Sequence, residues 1–146
     1  FYAYISYNVK EFIGVDLLDN NFIESNREKI YRAKIYNFPI RIEVQKLYNL
    51  YVTHYVQFPK EFKQTLGQDL GRVIFDLRKH INRALKIYQK QTALRDADSC
   101  LECLRDIVWC CFEKKCLSGG QLGLWAEQIN SIGVMLGGWL KEVSSK

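Results

Sequence analysis

The residues of this chain best suited to chemistry are five cysteines, Cys100, Cys103, Cys110, Cys111 and Cys116, and two histidines, His54 and His80. Cys100-x-x-Cys103 has the spacing of a zinc or thiol-redox pair. A closed zinc site takes four donors, yet no second CxxC exists and both histidines lie far away along the chain. An odd number of cysteines within 17 residues does not read as a secreted disulfide framework either. The pattern around them is helical, and free cysteine behaves as a small buried hydrophobe. Core packing is therefore the expected role of the cluster, with no metal ligands.

Catalysis finds no better footing. Neither histidine stands near a cysteine or paired carboxylates in a motif for nucleophilic or acid–base work. P-loop, GxGxxG and HExxH motifs are missing. So are the Glu-x-x-His pairs that build di-iron centres in helical bundles. The expectation is no catalytic residue, no cofactor and no enzymatic activity.

What remains is positive charge. The chain carries a net +5, but segment 60–95 alone holds nine basic residues against three acidic ones, a local +6. Its candidate nucleic-acid contacts are Arg72, Lys79, Arg83, Lys86 and Lys90, with Arg78 beside them and Lys60, Lys63 and Arg95 near the ends. Such charges bind phosphate backbones by releasing counterions, with strong salt dependence and little sequence preference. A solvated helix face has the same composition. The interleaved glutamates that neutralise ordinary exposed faces are lacking, however, and only Asp69 and Asp76 fall near the arc.

The elements that carry these residues are helical. Ile40, Val44, Leu47, Leu50, Tyr51, Tyr55 and Phe58 recur at three- and four-residue spacing, and Pro59 ends that helix. Thr65 is a plausible N-cap for a second helix, from about 66 to about 90. There Leu70, Val73, Ile74, Leu77, Ile81, Ala84, Leu85 and Tyr88 share one face, with the cations opposite. A third helix, about 93 to 115, carries Ala97, Cys100, Leu101, Leu104, Ile107, Val108, Cys111 and Phe112. Ser118-x-x-Gln121 has capping-box spacing and opens a last helix through Leu122, Trp125, Ile129, Ile132, Met135, Leu136, Trp139 and Leu140. Four amphipathic helices on short connections predict an all-α, up-down-up-down four-helix bundle. Gly133 and Gly137 in the last helix would let another helix approach closely, inside the monomer or from a second copy.

Residues 1–37 form a compositionally distinct extension holding five of the nine tyrosines, and 38–146 form the bundle. The runs 1–7 and 29–36 read either as a small sheet or as short helices, with a turn at Asp19, Asn20 and Asn21 between them. Asn37-Phe38-Pro39 marks the boundary. Composition is that of a globular protein, 48% apolar and 25% charged, and no apolar run approaches the ~18 to 20 residues of a membrane span. No secretory leader stands at the start. A first residue of Phe rather than Met suggests a processed or truncated product; cytoplasm is the expected compartment.

Phe58-Pro59-Lys60, Thr65-Leu66-Gly67-Gln68, Leu117-Ser118-x-x-Gln121 and the stretch from Ile132 to Leu140, ending Leu136-Gly137-Gly138-Trp139-Leu140, resemble the accessory variability determinant of diversity-generating retroelements. The resemblance covers about residues 38–146. Proteins of that family, related to those encoded in intervening sequences of 23S ribosomal RNA, are four-helix bundles of bacteria and phages. The resemblance implies a non-enzymatic partner of a reverse transcriptase and its template RNA, assembled as a homopentamer and needed for mutagenic cDNA synthesis. Carried over, the basic second-helix residues become the nucleic-acid contacts and the glycine-rich last helix a packing surface. Two other readings stay open: an intervening-sequence-type bundle protein, and an adaptor whose basic face meets an acidic protein.

Overall fold

The computed structural model describes residues 26–36 and 38–145, and every regular element among them is helical. The chain divides into two compact units, 1–42 and 43–146.

In the first unit, Arg27–Tyr36 forms α1, where Glu28 and Arg32 pair at 2.8 Å one turn apart. The run 29–36 is thus helical. The aromatic run 1–7 and the turn at Asp19, Asn20 and Asn21 lie outside the described residues. α2, Pro39–Tyr55, starts here with proline in its first position, where the missing N–H costs nothing.

The second unit holds the rest of α2 and three long helices: α3, Gln68–Lys86; α4, Gln91–Glu113; and α5, Gly119–Ser144. Each neighbouring pair runs antiparallel, as residue pairings show. Between α2 and α3, Gln45 meets Arg78 while Tyr51 meets Gly67. Between α3 and α4, Arg83 meets Asp96. Between α4 and α5, Gln91 at one end of α4 meets Ser144, and Leu101 lies against Gly133. α5 returns beside α2, with Gln121 on Gln57, Trp125 on His54 and Gln128 on Glu43. This is the up-down-up-down bundle expected from short connections.

The predicted stripes form its core. Val44, Leu47, Leu70, Ile74, Leu77, Ile81, Leu94, Ala97, Leu101, Leu104, Val108, Trp125, Ile129, Ile132 and Leu136 are all buried. Tyr88 is the main exception. α3 stops at Lys86 because Ile87 turns extended (φ −97°, ψ 155°), so Tyr88 falls beyond the helix and stands 97% exposed. Lys90 seals that end, its Nζ donating to the carbonyls of Ala84 at 2.6 Å and Ile87 at 2.9 Å.

Thr65 does not cap α3. A helical turn, Lys60–Phe62, leads into a π-helical segment, Lys63–Gly67, which runs straight into α3 with Thr65 inside it. Two tyrosines of α2 explain the two glycines here. A Cβ on Gly67 would sit 2.6 Å from Tyr55 Cε2, and one on Gly71 would sit 2.6 Å from the Tyr51 hydroxyl oxygen. The wider π turn brings the Gly67 carbonyl to the Tyr51 hydroxyl, which donates to it at 2.9 Å. At α5 the expected capping box is present. The Gln121 N–H donates to Ser118 Oγ at 3.1 Å, and the Ser118 N–H donates to Gln121 Oε1 at 2.9 Å.

Candidate nucleic-acid interface

α3 is greasy on one side and cationic on the other, with Phe75, 64% exposed, at the edge of the cationic arc. Leu70, Ile74, Leu77, Ile81 and Ala84 are buried. At 3.6 residues per turn, Arg72, Lys79, Arg83 and Lys86 fall within an arc of about 60° on the opposite side. All four are exposed.

Their partners differ. Arg72 pairs with Asp69 at 3.3 Å and Lys79 with Asp76 at 3.4 Å, each one turn apart on the same helix. Arg83 reaches across to α4, where its Nη2 lies 2.6 Å from Asp96 Oδ2. Lys86 has no ion-pair or hydrogen-bond partner among the described residues. Solvent-exposed pairs of this kind contribute about 0 to 1 kcal/mol each. A phosphate backbone can therefore displace the carboxylates at small cost.

Arg78 and Lys90 stand apart from this group. Arg78 falls on the side of α3 that faces α2, half-buried, where its Nη2 donates to Gln45 Oε1 at 3.0 Å and its guanidinium lies 5.0 Å from the Tyr48 ring centroid. Lys90 lies past the helix end, engaged by the α3 carbonyls and 6.0 Å from the Trp139 ring centroid. The structure brings together four of the six sequence candidates.

Two further side chains lie beside the face. Asp96 arrives from another helix, so no spacing within α3 announces it. His80, with 19% of its side chain exposed, places Nδ1 4.0 Å from the same Asp96 oxygen that holds Arg83. That nitrogen is buried and has no hydrogen-bond partner among the described residues.

The cysteines follow the core reading only in part. Cys111 and Cys116 are buried and Cys100 is half-buried, whereas Cys103 and Cys110 are exposed because they fall off the α4 stripe. Burial, with Cys116 and Cys110 nearby, pushes the Cys111 thiol up to about 12. Burial also raises Cys100 and Cys116. No group of three or more His, Cys, Asp or Glu side chains among the described residues is placed to hold a metal ion.

His54 lies inside the bundle. It is 7% exposed, and its Nδ1 accepts from the Trp125 indole N–H at 2.9 Å. Burial lowers its pKa, so the neutral imidazole is the form that fits.

Trp109 escaped the sequence reading. It sits off the apolar stripe of α4, 53% exposed, with its ring centroid 5.4 Å from that of Phe112. A tryptophan outside its own helix's buried face was the available signal. α5 likewise carries an open side. Leu124 and Val134 are exposed there, and Cβ atoms on Gly123, Gly137 and Gly138 would meet nothing within 4 Å among the described residues. Gly133 instead faces α4, where a Cβ would lie 3.3 Å from Leu101 Cδ2 and 3.0 Å from Arg105 Nη2.

The molecule is thus of the helical-bundle class, with one cationic helix face. A family model described as bAvd-like matches residues 32–143, and the chain belongs to that family, as an Avd-like accessory protein. No curated protein and no solved structure matches the chain. No helix among the described residues is long and apolar enough to cross a membrane.

Proposed function

We propose that this protein is a non-enzymatic accessory factor of a diversity-generating retroelement. It binds nucleic acid through the outer face of α3 and works with a reverse transcriptase and its template RNA in mutagenic cDNA synthesis. The observation that carries this reading is the exposed quartet Arg72, Lys79, Arg83 and Lys86, aligned on one helix face opposite the buried stripe. Four cations about one to two turns apart match a polyanion better than they match any small ligand. Membership of the Avd-like family supports the retroelement setting. Lys86, with no partner among the described residues, and the weakly held Arg72 and Lys79 are the first contacts.

Self-association, as a pentamer by family likeness, is part of the same proposal. Glycine inside a helix costs about 0.5–1 kcal/mol relative to alanine. Gly123, Gly137 and Gly138 meet no neighbour among the described residues that would explain that cost, and Leu124 and Val134 flank them. A second copy packed on this side of α5 would use both features.

Co-purification with a diversity-generating retroelement reverse transcriptase tests the reading. Association that needs RNA and is lost on nuclease treatment supports it. Association that resists nuclease yet falls with salt points instead to an adaptor meeting an acidic protein surface.

A further inference from the structure

At the end of the bundle where α4 passes into α5, a cleft of about 610 Å³ opens to solvent. Phe112, Cys116 and Leu117 supply apolar walls, and Gln57, Ser118 and Gln121 supply polar groups. Phe112 is also one half of the tilted pair with Trp109, so an exposed indole continues the aromatic wall out of the cleft. Lys114 and Lys115 stand exposed beside it, and neither has an ion-pair partner among the described residues. Lys115 is held there at a left-handed φ of 63°, where the chain leaves α4 and its N–H donates to the Phe112 carbonyl at 3.0 Å. Glu113 lines the same cleft, and Glu61 lies close enough to add to the rise in the Cys116 pKa, after burial. Glu113 and Lys115 both line the cleft, so its lining carries both signs of charge, with Lys114 next in the chain.

We infer that this cleft takes an unpaired base of a single-stranded nucleic acid, its face on Trp109 and its edge toward the tilted Phe112 ring, with its phosphates at Lys114 and Lys115. The inference rests on the nucleic-acid reading of α3 and extends it to a second, structurally separate contact. Bases expose their faces only when they are unpaired, and aromatic platforms flanked by cations are how proteins hold single strands without reading sequence. The volume lies in the range of ordinary small-molecule pockets, about 300–1,000 Å³. The amide groups of Gln57 and Gln121, joined at 3.5 Å, offer a donor and an acceptor to a base edge. A duplex keeps its bases stacked inside and has nothing to place there.

The test compares the full chain with Trp109→Ala, Trp109→Phe and the α3 variant R72Q/K79Q/R83Q/K86Q, reading fluorescence anisotropy of labelled oligonucleotides. The probes are a 20-mer of uridylate, a 20-mer of thymidylate and a paired 20-mer duplex. Trp109→Ala should weaken single-strand binding about tenfold and leave duplex binding unchanged, and Trp109→Phe should recover most of the loss. A loss with the uridylate probe alone marks RNA as the ligand, and an equal loss with both single strands marks either nucleic acid; both support the inference. If Trp109→Ala leaves single-strand affinity intact while the α3 variant loses it, the cleft proposal falls and the α3 reading stands. If Trp109→Ala weakens single strands while the α3 variant binds normally, the cleft stands and the α3 reading falls. A change in oligomeric mass by light scattering, with binding unaltered, would make Trp109 a contact between copies and overturn the proposal.

Discussion

Arg83 on α3 and Asp96 on α4 meet at 2.6 Å, so one cation of the proposed nucleic-acid face is tethered to a neighbouring helix. Removing the carboxylate charge should free that guanidinium for phosphate. Asp96→Asn is expected to tighten oligonucleotide binding severalfold at low ionic strength, and the gain should vanish at high salt. Because the pair is solvent-exposed, the same substitution should cost at most about 1 kcal/mol of stability. Anisotropy titrations at two salt concentrations, with thermal melts alongside, check both points.

Acid should loosen the contact between His54 and Trp125. Burial depresses the folded-state pKa of His54 below its ordinary value of 6.5. The stabilisation is then fully present above pH 6.5 and is lost as the pH falls from there through the depressed value, because the unfolded chain binds the proton more readily. Protonation also turns Nδ1 from acceptor to donor and breaks the bond from the Trp125 indole. Melting temperature measured from pH 7.5 down to 5 should decline, and His54→Gln should show a shallower decline. Equal slopes for the two proteins would contradict this account.

The glycines of the bundle should separate into two behaviours. Gly71→Ala would drive a Cβ to 2.6 Å from the Tyr51 hydroxyl, an overpacking expected to cost about 1–3 kcal/mol. Gly138→Ala meets open space and should stabilise the monomer by up to about 1 kcal/mol. If a second copy packs on that side of α5, Gly138→Ala should also weaken self-association. Urea denaturation gives the first two numbers, and light scattering across a concentration series gives the third.

Thiol labelling should follow exposure. Cys103 and Cys110 are open to solvent, while Cys111 is buried with its pKa pushed up to about 12. A reagent that attacks thiolates at pH 8 should modify Cys103 and Cys110 quickly and Cys111 only on unfolding. Mass spectrometry of a quenched time course reads the order directly.

The bundle was legible because each helix carries an apolar stripe with a defined period, from Val44 through Leu136. Ser118 and Gln121 announced their cap by spacing alone. What the sequence hid was non-local. Thr65 looked like a cap, but it lies inside a π turn whose last residue, Gly67, meets Tyr51 and Tyr55 of another helix. Asp96 lies outside any window drawn on α3, so the tether on Arg83 could not be read there. Arg78 and Lys90 counted as charge in a linear tally. In space one turns toward Tyr48 and the other, beyond α3, seals that helix's end.

The central claim is that the four cations on the outer face of α3 bind nucleic acid. The most direct measurement is the salt dependence of RNA affinity for the full chain against R72Q/K79Q/R83Q/K86Q. Each phosphate contact on a single strand contributes about 0.7 to the slope of log affinity against log salt concentration. The variant should therefore bind more weakly at every salt concentration, with a slope smaller by up to about 2.8. Coincident affinities and slopes for the two proteins would contradict the account.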